Sequence, residues 1–599
     1  GFIVTRLNFP TMVATAAWLP LAFWLAHLVT EKGGLHRTLA LGIVLAAQFL
    51  AGHVQLWYYT LWFIGGYVLF CTFTGPKGRI RAWTYVLGAL ILGVSLAAVQ
   101  FLPTLEFALN SQRKGGTGWD FAMTYSLWPW KLLALLMPDF FGSPAQGNYW
   151  GYANYWEDCG YIGVLPLILA LTAFYRLSRR TPAQFAPTGR FLALTVPVSL
   201  LLALGKNTPV YPFIFRYVPG FDLFQAPARF LYLYTFAMAI LGGMGLDLLI
   251  WLPPSPALLR RLGAVAVGVL TAAVALRVLP LGIRSTFTPA SFSFALLFAG
   301  SVFCLRLQTP HRRPLALLLT LADLLAFGAG FNPFVEPAFY HQPTDTAFLL
   351  SRMDGSPFRI YTFKPEEYHI KYERFFRFDT FGPEDVSFWM GLRESQIPQL
   401  NMIEGLDHAG VFDPLTVGRY KDLLDAVERA PLSQALRLLG MLNVRYLISA
   451  RAIPGFEPAA QRAGYLIYEN DYFLPRAYVV SAVQRVADAE TALAMVTSTT
   501  FDPAREAVIQ ADRPLHPRMH SPPRYAIHRL QYLPNGVRIK IAVEGHSYLV
   551  LSQTWYPGWQ AYVDGKPTPL LRANYTLTAV ELIPGVHDVF LCYSPLSFK

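Results

Sequence analysis

Read for apolar and polar positions alone, the chain falls into two halves. Residues 1–335 are nearly continuous apolar blocks, while residues 336–599 hold most of the Asp, Glu, Arg and Lys. A membrane-spanning helix needs about 20 mostly apolar residues. The blocks that approach this lie near 11–29, 38–52, 54–73, 82–103, 160–176, 190–205, 226–252, 262–281, 288–306 and 314–333, the second and sixth being short. Lipid offers the backbone no hydrogen-bond partners, so each block is expected to be helical. Residues 128–138 are apolar but brief and suit a membrane-surface or re-entrant segment.

The second half changes period. Residues 416–440 carry helical spacing, followed by strand-like runs at Val444–Ile448, Tyr465–Tyr468 and Ala477–Val480. From about 524 the pattern is all-β, with strands expected at 538–543, 548–553, 560–563, 577–582 and 588–593. Asn535-Gly536, Pro557-Gly558, Asp564-Gly565 and Pro584-Gly585 mark turns between them. The fold class is therefore a polytopic α-helical membrane protein with about ten spans, carrying a C-terminal α/β region and a small β-sandwich. The domain expectation is a helical membrane domain over 1–335, an extracytoplasmic mixed α/β domain over 336–523, and a β-sandwich over 524–599. Gly1 is not an initiator Met, and Tyr593–Lys599 reads as the approach to a further span, so both ends are expected to be cut.

Composition sharpens this picture. Charged residues make up only 14% of the chain and the mean hydropathy is +0.35. The net charge of +12 is explained by basic loops at 30–38, 74–81, 176–190, 253–261 and 306–313. Counting spans places all five on one side, which the positive-inside rule makes the cytoplasm. The loop 104–159 and everything after about 335 then lie outside the cytoplasm. No basic cluster interleaved with aromatics occurs on a soluble segment, which argues against nucleic acid as a partner. No cofactor is evident. The four cysteines have no metal spacing, only His27 and His53 are placed in the spans for haem and they lie near opposite membrane faces, and a divalent metal has no Asp-x-Asp motif to hold it.

Ionisable groups near the membrane boundary are costly and so are candidates for function. On the outer face these are His53, Gln55, Glu106 and Arg229, with Arg113, Asp139, Glu157 and Asp158 in the outer loop. A partly desolvated carboxylate suits proton transfer, and arginine suits phosphate. The same residues would also serve as helix-end anchors and interhelical hydrogen bonds.

Several stretches then carry a resemblance. They are Gly52-His53-Val54-Gln55, Leu102–Glu106 with Ser111-Gln112-Arg113, Pro138–Gly142, Tyr149-Trp150-Gly151, Gly160–Pro166, Val218–Phe224 and Pro227–Phe230. In the second half they are Leu442–Leu447, Tyr468-Glu469-Asn470, Leu474-Pro475-Arg476, and Trp555–Trp559 before Val563-Asp564-Gly565. Their order and spacing resemble the bacterial YfhO family of membrane proteins, related to glycosyltransferases of the GT-C architecture. Two departures stand out: Val54 where the family has Pro, and Gln225 where it often has Arg.

The resemblance implies an inverting transferase moving a sugar from a polyprenyl-phosphate donor to a cell-envelope glycan or lipid. It implies a carboxylate in a first outer loop upstream of Gly1. Under this reading Arg229 and Arg113 hold phosphate, Glu106 and His53 assist proton transfer, and Gln55, Asp139, Glu157 and Asp158 complete the substrate site. The partners would be the bilayer, the polyprenyl-phosphate sugar, the envelope acceptor and other membrane subunits. Two rivals are a non-catalytic subunit of a larger membrane complex and a transporter, although no internal repeat supports the latter.

Overall fold

Each of the ten apolar blocks forms helix. The computed structural model describes residues 1–74, 81–152, 154–177, 186–251, 253–278, 287–307, 309–353, 356–512, 514–515 and 524–598. Lys77, Arg79, Arg179 and Arg180 of the basic loops, and most of the 282–287 loop, lie outside the described residues. The chain divides into two units. The first comprises Gly1–Phe101, Gly116–Phe334 and Arg377–Gly382, and the second Leu102–Gly115, Val335–Phe376 and Pro383–Lys599.

In the first unit, length and composition alone bear out part of the expected span count. Among the described residues, five stretches are long and apolar enough to cross a membrane: Pro10–Lys32, Val54–Thr74, Pro227–Leu249, Pro256–Leu276 and Pro289–Arg306. The block expected at 82–103 is broken at Ala97, between Arg81–Leu96 and Ala98–Asn110, and makes a sixth only if the bent pair counts as one span. The reason for the shortfall is length. Leu35–Leu50 has 16 residues, which reach about 24 Å against a ~30 Å hydrocarbon core. Val164–Leu177 and Pro187–Ala203 are short in the same way. Thr309–Gly328 spends its first turns on His311, Arg312 and Arg313. Residues 128–138 contain a brief 3-10 helix, Pro129–Leu135.

A cluster of aromatic side chains packs between the helices. Phe23 packs on Phe63 and Tyr67 with ring centroids 5.0 Å apart, and Phe191 and Phe236 close the same cluster. Outward, Ile43, Leu69, Phe73, Leu87, Ile91, Leu171, Leu296 and Phe303 are all exposed. A band of large apolar side chains on helices of this length is a lipid-facing surface. Gly242 and Gly245 allow close helix packing: a Cβ on Gly242 would crowd the Pro166 carbonyl, and one on Gly245 would collide with the Leu169 carbonyl of the neighbouring helix. Gln48, buried among these helices, donates to Thr60 Oγ1 at 2.9 Å and to the Thr15 carbonyl at 3.2 Å.

The second unit contains three sheets. A four-stranded sheet runs in the order Arg359–Tyr361, Val444–Ser449, Tyr465–Glu469, Ala460–Arg462. A six-stranded sheet runs Ala477–Val480, Ser547–Thr554, Leu577–Leu582, Leu570–Ala573, Glu506–Gln510, Ala482–Val486. The third, five-stranded, runs Lys566–Thr568, Trp559–Val563, Gly585–Tyr593, Gly536–Val543, Tyr525–Leu533. The last two sheets share a buried core in which Val479, Leu549, Leu551 and Val580 meet Ile539, Ile541, Val589 and Leu591. The sandwich expected from 524 onward thus also takes three strands from 477–510. Those strands fill hydrogen-bonding edges that strands 547–554 and 570–573 would otherwise leave open.

Three of the resemblance motifs meet here in a structural role. Asn443, held at φ 66°, donates from Nδ2 to the carbonyls of Pro357 and Leu474 and accepts from Arg476 Nε at 2.7 Å. Asn470 donates to the carbonyls of Leu436 and Val444, both at 3.0 Å. Both Asn side chains are fully buried, and their hydrogen bonds lock the helix before strand 444–449 to the turn after strand 465–469.

Candidate functional site

The first unit gathers charge where its helices end. Arg229 lies in the one-turn 3-10 helix Pro227–Phe230 that leads into Leu231–Trp251. Its guanidinium grips Glu157 through Nε at 3.0 Å and Nη2 at 2.7 Å, both to Oε1. Nη1 donates to Gln55 Oε1 at 2.7 Å. Gln55 in turn donates to the Tyr59 hydroxyl at 2.9 Å and the Gln225 carbonyl at 2.7 Å. A second cation closes the cluster from behind: Arg6 Nη2 reaches the Glu157 carbonyl at 3.0 Å and Oε2 at 3.4 Å. The Arg6, Glu157 and Arg229 side chains are 1%, 6% and 15% exposed, so this is a buried Arg–Glu–Arg triad. Burial alone would raise the Glu157 carboxyl, but Arg229 and Arg6 together hold it below the usual carboxylate range.

The neighbouring residue behaves in the opposite way. Asp158 pairs with Lys131 at 3.2 Å, both buried, and Lys131 also donates to the Tyr149 hydroxyl. Burial pushes the Asp158 carboxyl up to about 6, with Lys131 opposing and Glu157 adding to the rise. A carboxyl raised on folding holds its proton better in the folded state. Its contribution to stability is therefore complete below about pH 4 and is lost as pH rises through about 6, by roughly 3 kcal/mol. Infrared titration of the carboxyl band is expected to show one acid with a midpoint near 6 that is absent in Asp158→Asn. A titration identical in the variant would overturn the assignment.

Asp139 lines a cleft of about 200 Å³ with Gln146, Asn148, Tyr161, Ser293 and Asp323, walled by Leu136, Phe294, Leu297 and Phe327. Asp323 is engaged there: Oδ1 accepts from the Tyr161 hydroxyl at 2.7 Å and Oδ2 from the Val164 backbone N–H at 2.8 Å. It thereby caps the helix Val164–Leu177, and Gly163, at φ +99°, makes the turn that brings the N–H round. Asp139 accepts from the Tyr155 hydroxyl, at 3.3 Å, and burial raises its carboxyl.

His53 plays a local part. Its Nδ1 accepts from the Leu56 N–H at 3.3 Å, at the start of helix Val54–Thr74, and its own N–H donates to Thr15 Oγ1 at 3.1 Å. Burial, then Arg229, pushes the imidazole down to about 4, so it is neutral at neutral pH. Glu106 and Arg113 fall in the second unit. Glu106 sits in the segment Ala98–Asn110 and acts electrostatically on Tyr556 and Tyr593. Of the eight residues expected at the site, Arg229, Glu157 and Gln55 are thus brought into one network, Asp158 pairs beside it, and Asp139 opens onto the cleft. Sequence reasoning passed over Arg6 and Lys131. The signal for Lys131 was there: a lone cation inside the apolar run Trp128–Pro138. Among the described residues, no group of three or more His, Cys, Asp or Glu is placed to hold a metal ion.

Apolar helices long enough to cross a bilayer, with a β-rich C-terminal region, make this a membrane protein. Residues 513–599 match the family described as "Bacterial membrane protein YfhO", the family that the sequence motifs resemble. No curated protein sequence matches the chain. Among solved structures, two of the arabinofuranosyltransferase AftD from mycobacteria, one of a mutant, align with a TM-score of 0.39 each and 12% and 11% identity. The alignments cover 99% of this chain but 48% and 50% of theirs, so the chain spans about half their length.

Proposed function

We propose that the protein is a membrane glycosyltransferase that moves a sugar from a polyprenyl-phosphate donor to a cell-envelope acceptor on the outer membrane face. The observation that carries this reading is the composition of the 200 Å³ cleft. Two carboxylates, two amides and a phenol supply the hydrogen-bonding groups that a neutral sugar needs, against an apolar wall that suits a lipid chain. The family resemblance supports the same class. In the reaction, Asp139 takes the proton of the acceptor hydroxyl as its oxygen bonds to the anomeric carbon. The bond from that carbon to the phosphate oxygen breaks, and polyprenyl phosphate leaves with the electron pair.

Arg229 is a phosphate ligand in this reading only if Glu157 releases it, since the guanidinium already has its carboxylate. His53, in the same unit as the cleft, orients the acceptor, while Arg113 and Glu106 belong to the second unit and are not assigned to this cleft. The reading is tested by reconstituting the full chain in liposomes with a labelled polyprenyl-phosphate sugar and envelope glycan. Labelled glycan is expected to form, and its absence with hexose and pentose donors alike would overturn the reading.

A non-catalytic subunit is the second reading. It is favoured by the closure of Arg229, Glu157, Gln55 and Asp158 in internal pairs. Under it the protein co-purifies with other membrane subunits and turns over no donor.

A further inference from the structure

The second unit holds a groove that none of the foregoing uses. It measures about 350 Å³ and is lined by Phe107, Tyr556, Trp559 and Tyr593, with Gln553 at its side. The rings form a chain: Phe107 to Tyr556 at 6.1 Å, Tyr556 to Tyr593 at 6.2 Å, and Tyr593 to Trp559 at 5.5 Å between centroids.

Local structure builds this row. Gly558, at φ +98°, makes the turn between Tyr556 and Trp559, and a Cβ there would meet the Pro595 backbone at 2.7 Å. Tyr593 lies opposite Trp559 in the strand register. The pairing of Ser547–Thr554 slips between Leu551 and Thr554, and such a bulge re-aims side chains. Ser552 there turns to Arg359, whose Nη1 donates to its Oγ at 2.7 Å, while Gln553 lines the groove. Polar groups border the rings. Burial and then the Glu106 carboxylate push the Tyr556 hydroxyl up to about 12.

We infer that this groove binds a neutral oligosaccharide, its sugar faces stacked on Tyr556, Trp559 and Tyr593 and its hydroxyls bonded to Gln553 and Thr554. The C–H faces of a sugar ring are apolar and pack flat on aromatic rings, while its equatorial hydroxyls need partners at the rim. Aromatic rings with polar edges supply both. A purely lipid-facing surface would have no use for the Gln553 amide and Thr554 hydroxyl beside its rings. Among the described residues, no cation lines the groove to hold an anionic glycan. The groove's assignment stands on its own residues; that the bound glycan is the acceptor of the transfer rests on the transferase reading.

The test is direct binding to the full chain in nanodiscs, with no donor present. The probes are gluco-, manno- and galacto-tetraoses and a tetragalacturonate, read by calorimetry and tryptophan fluorescence. At least one neutral tetraose is expected to bind below millimolar Kd. Tyr593→Ala and Trp559→Ala are expected to weaken it at least tenfold, and Gln553→Ala, which leaves the packing intact, three- to tenfold. Asp139→Asn is expected to bind it as the wild type does, so failure of transfer and failure of the groove are separable. Three results would overturn the inference. They are no neutral tetraose bound at millimolar concentration, tighter binding of the galacturonate, or Trp559 fluorescence quenched by lipid-borne nitroxide and not by sugar.

Discussion

Glu157→Gln is expected to cost about 3–5 kcal/mol of stability, because it removes the one negative charge between two buried guanidinium groups. Arg6 and Arg229 would then face each other across a neutral amide whose NH2 group, like theirs, can only donate. Removing one partner of a buried ion network leaves the others desolvated and uncompensated, which costs far more than the pair contributes against a hydrophobic replacement. The pH dependence has the matching sign. Glu157 is held below its ordinary range, so its stabilisation is present above that range and is lost as pH falls through the folded value. The measurement is thermal unfolding in nanodiscs of Glu157→Gln, Arg229→Gln and the double variant. The double variant is expected to be less destabilised than the sum of the singles. A loss below about 1 kcal/mol in Glu157→Gln would mean that water, and not Glu157, compensates the arginines. If Arg229 also meets donor phosphate, polyprenyl phosphate is expected to restore Glu157→Gln toward wild type and leave Arg229→Gln unchanged.

Asp139→Asn is expected to lower the turnover of donor and acceptor by about 10²–10⁴-fold, the range for loss of a general base. The donor KM should stay within a few fold, because the cleft keeps its shape. Asp139 is singled out over Asp323 on geometry. Asp323 spends its two oxygens on Tyr161 and the Val164 N–H, whereas Asp139 accepts one longer bond from Tyr155. Asp323→Asn should therefore lose stability first, since its amide cannot accept at both positions. Turnover in Asp139→Asn within threefold of the wild type would remove it from the chemistry and favour the non-catalytic reading.

How much of this was legible beforehand depends on the range of the interaction. The helix at 54–73 is observed at Val54–Thr74, and the strands at 548–553, 577–582 and 588–593 at Ser547–Thr554, Leu577–Leu582 and Gly585–Tyr593. Each rests on a local apolar period and a turn signal such as Asp564-Gly565. Strands 482–486, 506–510 and 570–573 are short, and two of them pair in parallel, so no local turn announces them. For the site, chain position flagged Glu157, Arg229 and Gln55 as costly. It did not show that they bond to one another, because Glu157 and Arg229 are 72 residues apart and Gln55 and Arg229 are 174 apart.

The amino-acid order by itself determined which segments are apolar enough to leave water, where strands alternate, and which ionisable residues lie within or beside apolar segments. These follow from solvation and backbone geometry over a few neighbouring residues. Only the tertiary structure decided that Glu157 answers two arginines, that Asp139 opens onto a cleft, and that strands 477–510 complete the sandwich. Charge pairing and edge pairing act through space, between residues that the chain places far apart.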